Sequence, residues 1–203
     1  MEDNILLLGG GLDSISYLIL MKDEGIDFSC LSVNYGQMSY QGELQACIYF
    51  CNKYDVPLLL AENKQIEKYN DIKNCQLFTG NTNHDPYVSG RNASLILTAL
   101  EYGNTIHIGF TDPGYEPFPD ATPSFVIEFN NILTKTFKNK LLVAQYELMR
   151  RVDILGRAYE MDNDLFHESR TCWCCDSYGN ECNVCKHCLL KEIQYKEIQD
   201  ILN

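Results

Sequence analysis

The sequence predicts an α/β protein in which a parallel sheet carries helices on both faces. Two observations lead to this prediction. Apolar runs of strand length alternate with segments of helical periodicity, and glycine, asparagine and proline separate them. Such alternation is typical of repeated β-α-β units, which build a buried, Rossmann-like parallel sheet. The 203 residues are expected to form one domain, residues 1–203.

The individual elements follow from the same pattern. Strands are predicted at residues 5–8, 28–33, 56–61 and 105–109. Helices are predicted at residues 12–21, 44–51, 92–102, 124–137, 144–159 and 189–202. Two long segments, residues 62–90 and 111–123, are expected to be mostly loop, the first rich in asparagine and the second in proline. The second follows a strand directly, where open α/β sheets bind ligands.

The formal net charge of −12 restricts the partners that the chain can have. Nucleic acid is not expected, because binding to its backbone relies on clustered Lys and Arg. A nucleotide would need backbone N–H groups, a few local cations and Mg²⁺. No apolar run approaches the ~20 residues that cross a bilayer, and the first residues lack the features of a secretory signal. A cytoplasmic protein without a membrane partner is expected.

A glycine-rich turn after the first predicted strand is the first candidate site. Consecutive small residues allow backbone N–H groups to approach an anion, and the N-terminus of the following helix adds positive potential. The spacing fits neither the Walker pattern nor the dinucleotide pattern. The alternative is a tight turn capped by Asp13. The candidate phosphate-binding residues are Leu8, Gly9, Gly10, Gly11, Leu12, Asp13 and Ser14.

Cysteines are concentrated near the end of the sequence. Six of the ten lie in one short segment: Cys172, Cys174, Cys175, Cys182, Cys185 and Cys188. The spacing C-x7-C-x2-C-x2-C predicts a structural zinc site, within residues 172–188, formed by Cys174, Cys182, Cys185 and Cys188. Cys175 is the main alternative to Cys174. Four thiolates leave no open position for water, so this zinc should stabilise structure.

The glycine turn resembles the Ser-Gly-Gly-x-Asp-Ser signature of PP-loop ATP pyrophosphatases, which have an adenine nucleotide alpha hydrolase-like fold. Gly9 stands where the signature has serine. Other segments resemble the QueC-like family of 7-cyano-7-deazaguanine synthases. They are Asn-Tyr-Gly-Gln at residues 34–37, Gly-Arg-Asn at residues 90–92, Pro119-Asp120 with Phe125, and the cysteine segment preceded by Thr171. They follow the family's order and cover nearly the whole chain.

This resemblance implies an ATP-dependent carbon–nitrogen ligase of queuosine biosynthesis. The carboxylate of 7-carboxy-7-deazaguanine would be adenylated, ammonia would displace AMP to give an amide, and a second adenylation would permit dehydration to the nitrile. ATP with Mg²⁺ would be required, and family members often form homodimers. The implied catalytic residues are Asp13, Ser14 and Arg91. The implied substrate-binding residues are Tyr35, Gln37, Arg91, Asn92, Asp112, Asp120 and Phe125.

Two departures from the family pattern lie close to the expected site. Ala121-Thr122 replaces a Cys-Arg pair, and Gln145 stands where a Lys is usual. A cation for phosphate would then come from Arg150, Arg151 or Lys140.

The departures leave two alternatives open. One is a paralogue that stops at the amide and joins the deazaguanine to a protein amine in antiviral defence. The other is a zinc-ordered nucleotide-binding module without catalysis. The sequence alone does not distinguish nitrile, amide and protein conjugate as end product, nor does it fix the oligomeric state.

Overall fold

The computed structural model describes residues 2–64, 88–112 and 118–202. Within these ranges the strands are β1 (Glu2–Leu7), β2 (Ser29–Asn34), β3 (Leu58–Glu62), β4 (Gly103–His107) and β5 (Leu141–Val143). The helices are α1 (Leu12–Asp23), α2 (Tyr40–Tyr54), α3 (Arg91–Ala99), α4 (Pro123–Thr136), α5 (Arg151–Met161), α6 (Leu165–Glu168) and α7 (Lys186–Leu202). A short 3₁₀ turn spans Pro119–Ala121. No helix in the described ranges is long and apolar enough to cross a membrane.

The strands form one parallel sheet in the order β3-β2-β1-β4-β5. The chain therefore builds outward from β1 to β3 on one side and then returns to place β4 and β5 on the other. The carboxyl ends of β1, β2 and β4 surround this change of direction, which is where open α/β sheets form a ligand-binding crevice. The predicted α/β fold is confirmed.

Helices cover the sheet on both faces, because alternate residues of the central strand point to opposite cores. Leu6 of β1 belongs to a core with α1, α2, α5, α6 and α7, whereas Ile5 belongs to a core with α3 and α4. Both side chains are fully buried. The part of β1 that is buried on both faces is apolar at every position, which explains the uninterrupted run at residues 5–8.

The region after α4 differs from the sequence prediction. Residues 141–143 form a fifth strand, in which Leu142 pairs with Ile106, and the helix predicted from residue 144 begins only at Arg151. Three residues are too few to show a strand period, so the strand was missed. Most of the predicted loop at residues 62–90, together with residues 113–117, lies outside the described residues.

Candidate functional site

A cleft of about 410 Å³ lies at the carboxyl edge of the sheet. Its floor contains apolar residues of β1, β2 and the segment after β4, and α7 forms part of its wall. The predicted site residues that line it are Leu8, Gly9, Gly11, Leu12, Asp13, Ser14, Tyr35, Gln37, Arg91 and Asn92. The structure thus brings together segments that are far apart in the sequence.

The glycine turn has a conformation that requires glycine at one position. Gly10 has φ +71°, and a Cβ there would clash with the backbone oxygen of Glu43. A Cβ at Gly9 would have no atom of the described residues within 4 Å. Gly10 itself does not line the cleft; its carbonyl accepts from the N–H of Arg170 at 2.8 Å. Gly10 therefore shapes the turn, while Gly9 faces open space.

The start of α1 offers backbone donors to a ligand. Gly11 is the N-cap, and no side chain caps this helix, so the suggestion that Asp13 caps the turn is wrong. The Ser14 hydroxyl donates to the carbonyl of Gly11 at 3.1 Å and accepts from the N–H of Gly9 at 3.3 Å. Uncapped N–H groups at a helix N-terminus are suited to bind an anion.

An ion pair joins Asp13 to Arg151 at the cleft. The Nε of Arg151 donates to Oδ1 of Asp13 at 2.6 Å, and the Thr111 hydroxyl donates to the same oxygen at 3.4 Å. The Arg151 side chain is 17% exposed and that of Asp13 is 34% exposed. Both residues line the cleft, so the pair is accessible from it yet partly shielded from solvent.

The three cations suggested as phosphate partners lie in different places. Arg150 is exposed and pairs with Asp153 at 2.6 Å. Lys140 donates to the backbone oxygens at residues 100 and 103. Only Arg151 among the three lines the cleft. Gln145 donates to Glu24 and does not line the cleft.

Residues after β2 form a buried polar group under one side of the cleft. Gln37 accepts from the N–H of Tyr35 at 2.9 Å and donates to Glu43 at 2.9 Å, while Ser39 donates to the other oxygen of Glu43 at 2.5 Å. Burial raises the pKa of Glu43, and these two hydrogen bonds oppose the rise. Burial, followed by the charge of Glu43, raises the pKa of Tyr35 to about 12, which Arg91 opposes. Glu43 was not predicted as a site residue from the sequence. Its position on a helix with buried neighbours was the signal that could have indicated it.

Three predicted substrate-binding residues do not line the cleft: Asp112, Asp120 and Phe125. Asp120 is buried and accepts from the backbone N–H of Asn92 at 3.1 Å, and its carbonyl accepts from the Asn92 side chain at 3.0 Å. Phe125 packs against Phe129 in the core. The predicted direct contacts of these three side chains with a ligand are therefore not supported by their positions.

Helix α7 contributes a wall that the sequence analysis did not assign to a site. His187, Leu190, Lys191 and Gln194 line the cleft at the spacing of one helix face. Trp173 also lines it and stacks on His187, with ring centroids 4.1 Å apart and planes inclined by 19°. Burial, followed by the charge of Arg151, lowers the pKa of His187 to about 4, so its ring is neutral near pH 7. The regular spacing on α7 was the signal that could have indicated this face.

The cysteine cluster differs from the predicted ligand set in one member. The sulfur atoms of Cys172, Cys182, Cys185 and Cys188 all lie within 4.8 Å of one another. Cys174 lies outside this group and Cys172 takes its place, so the spacing of the set is C-x9-C-x2-C-x2-C. The prediction of Cys174 was based on sequence spacing alone. In the fold, the backbone N–H groups of Cys174 and Cys182 both donate to the Cys172 sulfur at 3.3 Å.

The sulfur geometry fits a single tetrahedral ion. Sulfur separations of 3.5 Å for Cys172–Cys182, 3.5 Å for Cys185–Cys188 and 4.0 Å for Cys172–Cys185 and for Cys182–Cys188 occur in the group. Four thiolates at about 2.3 Å from one zinc ion would be about 3.8 Å apart. A hydrogen bond from Cys175 lowers the pKa of Cys172, which favours the thiolate form that binds metal. The four cysteines could hold a metal ion.

The parallel sheet, the glycine turn before α1 and the cleft at the carboxyl edge define the class: a nucleotide-binding protein with the PP-loop fold. A solved structure supports this fold. The U34-tRNA thiolase NcsA from Methanococcus maripaludis, determined with its [4Fe-4S] cluster, is similar with a TM-score of 0.52 and 17% identity, over 99% of this chain and 72% of that one. The likeness concerns the fold only.

Sequence comparison identifies the family within that class. The model of the family described as queuosine biosynthesis protein QueC matches residues 3–199, and the chain belongs to this family. A 7-cyano-7-deazaguanine synthase from Chlorobaculum tepidum is 26% identical, over 91% of this chain and 87% of the relative. Another from Methanosphaerula palustris is 27% identical, over 96% of this chain and 94% of the relative.

Proposed function

We propose that this protein is an ATP-using enzyme that converts 7-carboxy-7-deazaguanine to 7-cyano-7-deazaguanine. The carboxylate attacks the α-phosphorus of ATP and releases pyrophosphate, and ammonia then displaces AMP and loses a proton to give the amide. The amide oxygen attacks a second ATP and releases a second pyrophosphate, and the nitrile forms as AMP leaves with that oxygen and the nitrogen loses its two protons. The observation that carries this proposal is the cleft in which the glycine turn, the Asp13–Arg151 pair and Arg91 meet. Family membership and the names of the similar relatives support the same reaction.

The pyrophosphate part of ATP is proposed to bind at the glycine turn. The uncapped backbone N–H groups after Gly11 donate to phosphate oxygens, and the Arg151 guanidinium neutralises charge. Mg²⁺ would supply further positive charge, and its preference for oxygen ligands makes Asp13 a suitable partner. Ser14 is proposed to hold the turn in shape and to turn its hydroxyl toward phosphate when the nucleotide binds.

Activation of the carboxylate is proposed to occur above the apolar floor of the cleft. A carboxylate is a poor electrophile until one oxygen becomes a good leaving group. Arg91, which lies near Tyr35, is positioned to stabilise the charge that develops on phosphate during transfer. Val33, Leu95 and Ile108 line the floor and would limit access of water to the acyl-adenylate.

The residues outside the cleft are proposed to act indirectly. Asp120 positions Asn92 by accepting from both its backbone and its side chain, and thereby fixes the start of α3 next to Arg91. Asp112 is bridged to Arg150 through the backbone, directly before Arg151. Phe125 supports α4 through its core contacts. These three residues are thus proposed to position their neighbours without contacting the ligand.

Zinc is the metal that we propose for Cys172, Cys182, Cys185 and Cys188. A closed set of four thiolates stabilises structure and offers no site for a reacting water. Residues 1–203 are proposed to form one domain that includes this segment at residues 172–188. Formation of a homodimer stays a prediction, which light scattering of the purified protein would test.

The adenylation step can be tested by pyrophosphate release. Wild type should release pyrophosphate from ATP and Mg²⁺ only when 7-carboxy-7-deazaguanine is added. Asp13→Ala and Ser14→Ala should lower this rate by about 10²-fold or more while the metal content stays unchanged, because one charged or hydrogen-bonding group at the reacting phosphates is removed. Release that is independent of the carboxylate, or equal rates in the variants, would contradict the proposed chemistry. Binding of ATP without any release would instead identify a nucleotide-binding module.

A further inference from the structure

Three residues that line the cleft each carry a buried polar atom that has no hydrogen-bond partner in the part of the chain that the structure describes. The atoms are Nε of Arg170, Oγ1 of Thr171 and Oε1 of Gln194. Buried polar groups in folded proteins are almost always paired, so unpaired groups that share one cavity call for an explanation. A polar ligand that pairs with them on binding is such an explanation.

This wall is next to the glycine turn. The backbone N–H of Arg170 donates to the carbonyl of Gly10 at 2.8 Å, and the methyl group of Thr171 would lie 3.9 Å from a Cβ at Gly11. Gln194 reaches the same cleft from α7. A ligand that pairs with the three atoms would therefore occupy the same cleft as phosphate bound at the turn.

The backbone of the wall is held firmly, although these side-chain atoms are unpaired. A carboxylate oxygen of Glu181 accepts from the N–H of Thr171 at 3.2 Å. Lys191 donates to Glu181 at 3.0 Å and to the carbonyl of Ser169 at 2.8 Å. The Lys191 and Glu181 side chains are 11% and 17% exposed. A fixed backbone presents the unpaired atoms in one arrangement, as selective recognition requires.

The chemistry of the unpaired atoms indicates their ligand. Nε of Arg170 can only donate, Oε1 of Gln194 can only accept, and the Thr171 hydroxyl can do either. The pyrimidinone edge of a guanine-type ring carries one carbonyl acceptor and two N–H donor groups in a row, which matches one donor and two acceptors. The corresponding edge of adenine offers one donor group and one acceptor, and would leave one of the three atoms unpaired.

We propose that Arg170, Thr171 and Gln194 recognise the 2-amino-oxo edge of the deazaguanine substrate. This inference rests on the proposed function and assigns the specificity of the same cleft. Asp120, predicted from the sequence to bind the substrate, is buried against Asn92 and does not line the cleft. A site with buried polar groups discriminates strongly against an analogue that leaves one of them unpaired.

Binding measurements on folded variants test the proposal. Calorimetry in the presence of α,β-methylene-ATP would compare 7-carboxy-7-deazaguanine with 7-carboxy-7-deazahypoxanthine, which lacks the 2-amino group. Gln194→Leu and Thr171→Val should each weaken binding of the guanine-type carboxylate roughly tenfold or more, because a buried partner is lost. Wild type should bind the ring that carries the 2-amino group more tightly than the ring that lacks it. This preference should be smaller in Gln194→Leu. Affinity for α,β-methylene-ATP alone should change less than about twofold.

Two further variants separate recognition from folding. Gln194→Glu keeps an acceptor oxygen and should retain binding of the guanine-type carboxylate. Gln145→Leu, an exposed glutamine outside the cleft, should leave all affinities unchanged. Unchanged carboxylate affinity in Gln194→Leu and Thr171→Val, or weakened ATP affinity instead, would overturn the proposal while the proposed function still stood. Wild type that binds neither carboxylate would overturn both.

Discussion

Arg151 at the start of α5 donates to Asp13 in the first turn of α1 at 2.6 Å, which joins two segments 138 residues apart at the cleft. Asp13 belongs to the glycine-turn signature, whereas Arg151 belongs to no motif that the sequence analysis identified. The pair places a carboxylate and a guanidinium directly beside the uncapped helix N-terminus. The electrostatics of the proposed phosphate site therefore depend on a residue from the second half of the chain.

Arg151→Ala is expected to lower carboxylate-dependent pyrophosphate release by about 10²-fold, because a charge that neutralises phosphate is lost from a partly buried site. Arg151→Lys should recover part of the rate, since the charge remains but the guanidinium geometry does not. Arg150→Ala is the matched control: this neighbouring side chain is 70% exposed and pairs with Asp153. Equal losses in Arg150→Ala and Arg151→Ala would contradict the role given to the Asp13–Arg151 pair.

Adjacent glycines in the turn should respond differently to the same substitution. Gly10→Ala should destabilise the protein by roughly 2–5 kcal/mol, because φ is +71° there and the new Cβ would clash with the backbone at Glu43. Gly9→Ala should be close to neutral, since a Cβ at that position meets no atom within 4 Å in the described part of the chain. Urea unfolding of both variants measures the difference. A destabilised Gly9→Ala with a stable Gly10→Ala would show that the turn has another conformation.

Gly9→Ser tests the departure from the family signature. The added hydroxyl fits sterically, because the position is open, and it would supply a further phosphate donor. Turnover with ATP and the carboxylate is expected to increase if the turn is a weakened form of the family site. A decrease with unchanged thermal stability would show that glycine at this position serves the reaction of this protein better than serine.

Metal content distinguishes the two candidate ligand sets. Cys172→Ser should lose zinc and destabilise the protein, because Cys172 is one of four sulfurs within 4.8 Å of one another. Cys174→Ser is expected to retain about one zinc per chain. Elemental analysis of the two purified variants, together with their melting temperatures, decides between the sets. Zinc retained in Cys172→Ser and lost in Cys174→Ser would restore the ligand set predicted from spacing.

His107 should make stability depend on pH in a defined window. Burial lowers its pKa from 6.5 to about 4, so below pH 6.5 the unfolded chain takes up a proton that the folded chain does not. The uptake of this proton by the unfolded chain lowers the free energy of unfolding. The loss is negligible above pH 6.5 and reaches about 3 kcal/mol as the pH falls to 4, at about 1.36 kcal/mol per pKa unit.

Urea unfolding of wild type and His107→Gln between pH 7 and 4 isolates that effect, because other titrating groups are shared. The slope of the free energy of unfolding against pH should differ between the two proteins. Near pH 5 the difference should correspond to about one proton taken up on unfolding. Parallel pH dependences would show that His107 does not control stability in this window.

The sequence predicted the elements whose pattern is long and local. The apolar run at residues 5–8 and the glycine turn gave the start of the fold and the position of the cleft. The strand β5 was missed because three residues carry no periodicity and are defined by pairing with β4. The fold was thus predictable wherever local pattern and tertiary environment agree.

The composition of the site was less predictable, because side-chain direction depends on packing. Cys172 and Cys174 are equally good ligands by residue type, and only the fold turns the Cys172 sulfur toward Cys182. Asp120 lies in a motif, yet its carboxylate faces Asn92. Gln194 belongs to no motif and reaches the cleft through the helical phase of α7. Such positions become visible only when the elements are assembled.

Mass spectrometry of the products formed from ATP, Mg²⁺, 7-carboxy-7-deazaguanine and ¹⁵N-labelled ammonia tests the proposed reaction itself. We expect 7-cyano-7-deazaguanine that contains ¹⁵N in its nitrile, together with pyrophosphate and AMP. Labelled amide without nitrile would contradict the second half of the reaction and would direct attention to a protein amine as acceptor. Absence of any labelled product and of pyrophosphate would contradict the claim that this cleft adenylates the deazaguanine carboxylate.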